Sequence, residues 1–261
     1  MTVSTLTKKL AVCLVLAVLA GCASKAEQNA AVIADSLGQA AAGAEVSGEY
    51  ALAANRYRRL LAKRPESRDA LLGLARNLRY TGDAKMAVGV LKAAAKRLGG
   101  DALFLLETGK ARLAVGDAAG AVESLKAAIE KDGGNWEAFA ALGIAHDLLQ
   151  AYGDARAAYL KALKLSDNDP AVLNNMAISA ALAGDIDLAV STLEGAPKAA
   201  RNNPQIRQNL ALFYGIKGDL DRAEALARFD LDDASVLNNL AIYSRFRANR
   251  AKATPKGTPL K

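Results

Sequence analysis

Alanine recurs in this chain with a fixed spacing of 34 residues. Six positions follow this spacing: Ala53, Ala87, Ala121, Ala155, Ala189 and Ala223. Each begins a stretch in which apolar and polar residues alternate with helical periodicity. A constant period of this length indicates a series of short units, none of which can bury its apolar face alone. The sequence therefore predicts stacked helical units rather than one globular core.

A series of glycines precedes the alanines by five residues: Gly48, Gly82, Gly116, Gly184 and Gly218. Aspartate follows all of them except the first. Glycine tolerates the left-handed backbone that ends a helix, and aspartate can accept hydrogen bonds from the free amides that begin the next one. We therefore expect a tight turn at each glycine. Gln150 replaces the glycine of one unit, and Gly153-Asp154 three residues later predicts that this turn is rebuilt.

Small and apolar residues occupy further positions of the period. Positions 7 and 8 hold Leu74-Ala75, Leu142-Gly143, Met176-Ala177 and Leu210-Ala211, with Thr108-Gly109 in the third unit. Positions 24 and 27 hold Tyr57, Leu91, Leu125, Tyr159 and Leu193, then Leu60, Ala94, Ala128, Ala162 and Ala196. This pattern resembles the tetratricopeptide repeat, in which small residues at positions 8 and 20 let paired helices approach closely. The resemblance implies an all-α fold, a right-handed superhelical solenoid of about six helix-turn-helix repeats with a C-terminal capping helix.

The period also sets the unit boundaries. Repeats are expected at residues 34–67, 68–101, 102–135, 136–169, 170–203 and 204–233. Asn238-Asn239-Leu240-Ala241 repeats Gln208-Asn209-Leu210-Ala211 after 30 residues, so the last unit is short by four. We predict that a capping helix from Ser235 to about residue 248 covers the final apolar face, with Arg245 and Arg247 exposed. The repeat domain then spans 34–248, and the basic segment 249–261 is predicted to be a disordered tail.

The first 21 residues have the features of a secretory signal peptide. Lys8 and Lys9 precede an apolar run over residues 10–19. The run is too short to cross a bilayer, whose core of ~30 Å requires a helix of ~20 residues.

The signal ends in Leu19-Ala20-Gly21-Cys22, which resembles the bacterial lipobox. The resemblance implies cleavage before Cys22 and covalent attachment of lipid to that residue, with residues 22–33 as a lipidated tether. The alternative is an ordinary signal peptide in which Cys22 is incidental. Ala23 follows where aspartate would favour retention in the inner membrane of enteric bacteria. By resemblance to those lipoproteins, the protein is expected at the outer membrane, facing the periplasm.

Basic residues exceed acidic ones by 34 to 27, giving a formal net charge of +7. The excess is concentrated at the two ends of the chain. At the C-terminal end an acid-free segment carries Arg245, Arg247, Arg250, Lys252, Lys256 and Lys261. The nearly neutral body offers no broad phosphate-binding face, so nucleic acid is not an expected partner. The basic tail is either a solubilising end or a contact for anionic lipid or an acidic partner.

The sequence lacks the residue patterns of known catalytic and metal sites. His146 is the only histidine, and its place in the first helix of the fourth repeat favours a packing role over a functional one. Cys22 is the only cysteine of the mature chain, and no histidine or paired-cysteine spacing offers metal ligands. No glycine-rich phosphate-binding motif follows a strand. We therefore expect no enzymatic activity, no small-molecule substrate and no cofactor other than the lipid on Cys22.

Proteins of the tetratricopeptide-repeat family bind partners mainly through the first helix of each repeat. The corresponding positions here predict a groove for a protein or peptide partner. Its residues are Leu72, Arg76, Arg79, Leu106, Lys110, Ile144, Leu148, Asn174, Ile178, Gln208, Leu212 and Asn238. The early part is basic and apolar, and the later part is apolar with amides. Asn175, Asn209 and Asn239 are interpreted as structural, because asparagine is common at position 6 of the repeat.

The C-terminal half resembles the TadD family more specifically. Asn174 to Ala196 reads NNMAISAALAGDIDLAVSTLEGA, and Asn209 to Tyr243 reads NLALFYGIKGDLDRAEALARFDLDDASVLNNLAIY. That family comprises tetratricopeptide lipoproteins of the tight adherence machinery that assembles Flp pili. The resemblance implies a scaffold in pilus biogenesis, with the pilus secretin or another assembly component as partner. Two alternatives remain open: a tetratricopeptide lipoprotein serving outer-membrane protein insertion or cell-wall coordination, and an enzyme accessory or cryptic hydrolase.

Overall fold

The computed structural model of this chain describes residues 28–253, with side chains as far as residue 247. Between these limits the chain forms fourteen helices and no β-strand. The helices are α1 (28–46), α2 (Tyr50–Lys63), α3 (Arg68–Tyr80), α4 (Ala84–Leu98), α5 (Ala102–Ala114), α6 (Ala118–Lys131), α7 (Trp136–Leu148), α8 (Tyr152–Leu165), α9 (Pro170–Leu182), α10 (Ile186–Glu194), α11 (Lys198–Arg201), α12 (Pro204–Lys217), α13 (Leu220–Ala227) and α14 (Asp233–Ala253). The predicted all-α class is confirmed.

The chain divides into two compact units after Gly99. In the first unit, α3 packs between α2 and α4. In the second unit, neighbouring helices pack on each other from α5 to α10, and α12 packs on α10, α11, α13 and α14. Within this unit, the first helices of successive repeats also contact each other, α5 with α7, α7 with α9 and α9 with α12.

The first helices of five repeats begin at the predicted first residue of the repeat. These residues are Arg68, Ala102, Trp136, Pro170 and Pro204. A polar side chain precedes each helix and accepts a hydrogen bond from a free amide of its first turn, as Ser67 and Asp101 do. Such caps contribute about 1 kcal/mol each. The repeat register is therefore set locally as well as by packing.

The turns within the repeats follow the predicted glycine series. All five glycines have positive φ, between 75° and 105°. The amide that follows each turn closes it, as when Asp117 N–H donates to the carbonyl of Arg112 at 2.9 Å. Asp117, Asp185 and Asp219 also cap the next helix as predicted. Asp83 does not, because its carboxylate instead accepts from the hydroxyl of Thr81 at 3.1 Å.

The turn at Gln150 differs from its prediction. It is not rebuilt around Gly153, because Gln150 itself adopts the left-handed conformation with φ of 58°. Ala151 N–H then donates to the carbonyl of His146 at 2.9 Å, the same closure that the glycine turns make. Gly153 lies in the first turn of α8. The packing of the neighbouring helices thus maintains the turn against the steric preference of a side chain.

The periodic residues form the core. All six alanines of the 34-residue series are fully buried. Gly109 faces Leu125 and Gly143 faces Tyr159 so closely that an added methyl group would lie 2.5 Å from the opposing side chain. Small residues are therefore required at position 8 because the large residue at position 24 of the same repeat occupies the space above it.

The second helices of the repeats shorten toward the C terminus. Helices α2, α4, α6 and α8 have 14, 15, 14 and 14 residues, whereas α10 and α13 have 9 and 8. Gly195-Ala196-Pro197 ends α10, and the short helix α11 follows it. The two shortened helices leave part of α12 without the cover that a full-length second helix provides.

Helix α14 packs on α12 and α13 as the predicted cap. The ring of Tyr243 lies over Gly215, where an added methyl group would approach it to 2.3 Å. Arg245 and Arg247 are exposed as expected. The helix continues to Ala253, into the segment predicted as a tail, and residue 28, within the predicted tether, is already helical.

Candidate partner-binding surfaces

The groove residues of the first unit are engaged with their own neighbours. Leu72 is buried. Arg76 forms an ion pair with Glu45 of α1. Burial alone would raise the pKa of Glu45, but the hydrogen bond and charge of Arg76 outweigh it and hold the pKa below its ordinary value. Arg79 lies with its guanidinium 4.5 Å from the ring of Tyr80.

The first groove residues of the second unit divide into buried and exposed groups. Leu106 is buried in the cluster that α5 shares with α7, and Lys110 forms an ion pair with Glu137 at the start of α7. Ile144 and Leu148 are exposed. Leu106 therefore belongs to the core, because position 5 of one repeat faces the first helix of the next.

The amide-rich part of the predicted groove is also used internally. Asn174 is buried, and its side-chain oxygen accepts from the amide of Asn209 at 2.6 Å. Gln208 donates to Asp230 at 3.0 Å. These contacts agree with the structural interpretation of Asn209. Asn174 is buried, whereas Gln208 is half-buried and keeps part of its side chain exposed. Asn238 is exposed, and Ile178 and Leu212 are partly buried against the core.

A half-buried carboxylate, that of Asp147, connects the regular repeats to the C-terminal ones. The hydroxyls of Tyr159 and Ser179 donate to the two oxygens of Asp147, at 2.8 and 2.5 Å. The three residues come from α7, α8 and α9. Burial, reinforced by the hydrogen bond to Asp147, raises the pKa of Tyr159 well above its ordinary value. The arrangement links the helices of two successive repeats.

His146, the histidine for which the sequence favours a packing role, is half-buried beside a surface depression lined by Phe139, Leu142 and Lys161. Within residues 28–247, no group of three or more histidine, cysteine, aspartate or glutamate side chains could hold a metal ion.

None of the helices in the described range is long and apolar enough to cross a membrane. The predicted lipidation site, Cys22, lies outside the described residues.

The shortened repeats surround a cleft of about 610 Å³, here called the C-terminal cleft. Its apolar floor consists of Ile206 and Leu210 of α12 and Leu226 of α13. Phe229, with 75% of its surface exposed, lies at its edge. A volume of ~300–1,000 Å³ is typical of pockets that bind ligands.

Four basic residues line the C-terminal cleft, against one acidic residue, Glu194. They are Lys198, Arg201, Arg207 and Arg222. Lys198 and Arg201 are exposed on α11, and neither forms an ion pair within the described part of the chain.

The remaining two arginines are held in place by acids. The Nε of Arg207 donates to Asp230 at 3.0 Å, and the hydrogen bond from Arg207 holds the pKa of Asp230 below its ordinary value. Arg222 lies 4.4 Å from the ring of Tyr214 and donates to Asp219 at 2.5 Å. These contacts fix the walls of the cleft.

The C-terminal cleft was absent from the sequence prediction, although two signals pointed to it. The interval of 30 residues before Asn238 marked a shortened unit, and Pro197 marked the early end of α10. A shortened helix within a stack leaves part of the neighbouring helix uncovered. The side chains that line the resulting space come from three separate segments, and only the fold shows that they converge.

Comparison with known proteins agrees with this architecture. A model of the tetratricopeptide repeat matches residues 37–102 and 106–170. No curated protein has significant sequence similarity to the chain. Among solved structures, Pseudomonas aeruginosa PilF matches with a TM-score of 0.60 and 18% identity, over 86% of this chain and 99% of PilF. The thermophilic repeat protein TTC0263 of Thermus thermophilus matches with a TM-score of 0.56 and 21% identity, over 69% and 100%. MamA of Desulfovibrio magneticus RS-1 matches with a TM-score of 0.53 and 17% identity, over 62% and 92%.

At these identities the structural matches establish the fold alone. Together with the repeat model, which covers half of the sequence, they define an all-helical protein built from stacked helical pairs. The chain belongs to the tetratricopeptide-repeat family. Repeats of this kind present extended surfaces to protein partners, so the protein is a scaffold for protein–protein interaction.

Proposed function

We propose that this protein is a lipid-anchored scaffold of the outer membrane, facing the periplasm, that binds protein partners during the assembly of Flp-type pili. One observation carries the proposal: a segment that resembles a lipobox and ends at Cys22 precedes tetratricopeptide repeats in the same chain. The lipid would hold the scaffold at the membrane surface, and the repeats would capture a partner there. Tethering would raise the local concentration of that partner without any new contact.

The link to pili is supported by the resemblance of residues 174–196 and 209–243 to the TadD family. We propose that the partner is the pilus secretin, which the scaffold helps to reach the outer membrane or to assemble there, as a pilotin would. The mechanism is stoichiometric binding rather than catalysis. Both oxygens of Asp147 accept hydrogen bonds, from Tyr159 and Ser179, which favours a structural over a catalytic role for this carboxylate.

The anchor is tested by metabolic labelling with a palmitate analogue. The wild-type protein is expected to carry the label and to fractionate with the outer membrane. Cys22→Ala is expected to lose both properties. Labelling that persists in Cys22→Ala would refute the lipobox, and unlabelled wild-type protein would support the ordinary signal peptide instead.

The role is tested by deleting the gene and measuring heat-resistant secretin multimers in the outer-membrane fraction. We expect loss of multimers, restored by the wild-type gene but not by Cys22→Ala. Unchanged multimers would refute the pilotin-like role. The alternative, a lipoprotein serving outer-membrane protein insertion or cell-wall coordination, would then be tested through the abundance of outer-membrane proteins and through cell shape.

A further inference from the structure

We propose that the C-terminal cleft binds an acidic peptide segment of a partner protein and seats an apolar side chain of that segment on its floor. The inference rests on the scaffold function proposed above and assigns it a location and a recognition chemistry. It differs from the groove expected from the sequence, since the cleft lies beside the second helices of the last two repeats.

The floor of the cleft provides the apolar half of this recognition. Ile206 and Leu210 are buried in the second unit's core where they line the cleft, and Leu226 beside them is half-buried and keeps part of its side chain exposed. Phe229 extends this surface with a ring that is mostly exposed, although a soluble protein gains by burying such a ring. An apolar side chain placed on this floor would cover Phe229 and bury apolar surface on both partners.

The rim provides the charged half. Arg207 and Arg222 already have carboxylate partners, but Lys198 and Arg201 have none among the described residues. Glu194 is the one acid that lines the cleft, and it is engaged with the hydroxyl of Tyr214. Two unpaired cations beside an apolar floor complement a peptide in which acids flank a leucine or phenylalanine.

The fourth repeat lacks this arrangement. Lys164 occupies the position in the fourth repeat that Lys198 occupies in the fifth, but Asp167 stands where the fifth repeat has Arg201. Helix α8 also retains its full 14 residues. The pair of cations and the shortened second helix therefore occur together in the fifth repeat and not in the fourth.

The test uses the full-length protein in detergent and a fluorescein-labelled peptide, Gly-Glu-Asp-Leu-Phe-Glu-Glu-Gly, with binding measured by fluorescence anisotropy. One control peptide replaces the acids by their amides, and another replaces Leu and Phe by Ser. The cleft variant is Lys198→Glu/Arg201→Glu. The matched control, Lys131→Glu/Lys164→Glu, makes the same charge change on exposed residues of α6 and α8.

We expect saturable binding of the acidic peptide, at least about tenfold weaker binding to the cleft variant, and near wild-type binding to the matched control. Both control peptides should bind weakly. About 1 M salt should abolish most of the affinity, because the Debye length then falls to ~3 Å. Circular dichroism melting of both variants shows whether the fold is retained.

Absence of saturable binding, equal binding of the amide peptide, or equal weakening by the two double variants would overturn the proposal. Self-association of the protein that the cleft variant alone abolishes would also overturn it, by assigning the cleft to a second copy. The same variants introduced into the deletion strain separate the two proposals. Normal secretin multimers with the cleft variant, alongside their loss with Cys22→Ala, would reject the cleft as the docking site and leave the anchored scaffold standing.

Discussion

Two regions of the second unit, built from the same repeat, differ in the length of their second helices. The regular region, α5 to α8, has second helices of 14 residues and an apolar cluster that contains the fully buried Leu125. The C-terminal region, α9 to α14, also has an apolar core, but its second helices have 9 and 8 residues and a cleft lies beside them. Shorter second helices, rather than a change of fold, therefore distinguish the region with the cleft from the regular one.

Ion pairs occur in both regions, since Lys110 and Arg112 of the regular region also pair with acids. Arg207, Lys217, Arg222 and Arg228 of the C-terminal region all pair with aspartate or glutamate. Exposed pairs contribute only ~0–1 kcal/mol each, whereas burying a leucine contributes ~1.5–3 kcal/mol. We therefore infer that the charged contacts position the walls of the C-terminal cleft, while the apolar stack supplies most of the stability.

The largest predicted effect concerns the apolar stack. Leu125→Ala should lower the free energy of unfolding by ~2–5 kcal/mol, because it leaves a cavity against Gly109 in a fully buried site. Urea denaturation followed by circular dichroism measures the loss. Leu160→Ala on α8 makes the same truncation at a side chain that is 51% exposed. Similar losses in the two variants would contradict the assignment of the core.

The second largest effect is expected at the contact between the two regions. Asp147→Ala removes the acceptor of both Tyr159 and Ser179 and leaves two buried hydroxyls without that partner. We expect a destabilisation of ~1–3 kcal/mol, seen as a lower urea midpoint. Tyr159→Phe, which removes one donor and retains the ring, should cost less than Asp147→Ala. The reverse order would show that the carboxylate does not join the repeats.

A smaller, pH-dependent effect is expected at the Arg207–Asp230 pair. Arg207 lowers the pKa of Asp230, so the pair stabilises the fold above the unfolded-state pKa of ~3.9 and loses this contribution as the pH falls through the lower folded-state pKa. Asp230→Asn should therefore be less stable than wild type at pH 7, with a difference that shrinks at low pH. Urea midpoints measured between pH 7 and low pH test the prediction. The control is Glu130→Gln, at an exposed side chain of α6. A difference that is independent of pH would argue against the pair.

The smallest effect should have the opposite sign. Gln150→Gly relieves a left-handed side-chain conformation and should stabilise the protein by about 0.5–1 kcal/mol, since the penalty of ~1–2 kcal/mol is partly offset by the greater freedom of the unfolded chain. Gly184→Ala imposes the same conformation on a side chain at an equivalent turn and should destabilise. The pair is compared by thermal melting. Destabilisation by Gln150→Gly would mean that the glutamine side chain itself supports the turn.

The sequence predicted those features that depend on local geometry. The turns at Gly82 and Gly116 require positive φ, and the alanines spaced by 34 residues lie where helices pack closely. Both requirements therefore appear in the sequence as small residues that recur with a fixed period. Leu106 and Asn174 were expected in the groove but are buried, because the next repeat covers position 5, and this depends on how the repeats stack. The C-terminal cleft escaped prediction because it forms where the period breaks and no repeated pattern marks its residues.

The most direct test of the central claim, that partners dock on the C-terminal region while the regular repeats serve as structural support, is photocrosslinking in living cells. A photoreactive phenylalanine analogue is placed at Phe229, at the edge of the cleft, or at Leu160, exposed on α8. We predict a defined crosslinked adduct from position 229 that disappears in the Lys198→Glu/Arg201→Glu background and persists in the Lys131→Glu/Lys164→Glu background. An adduct that forms at position 160 and not at 229 would contradict the account.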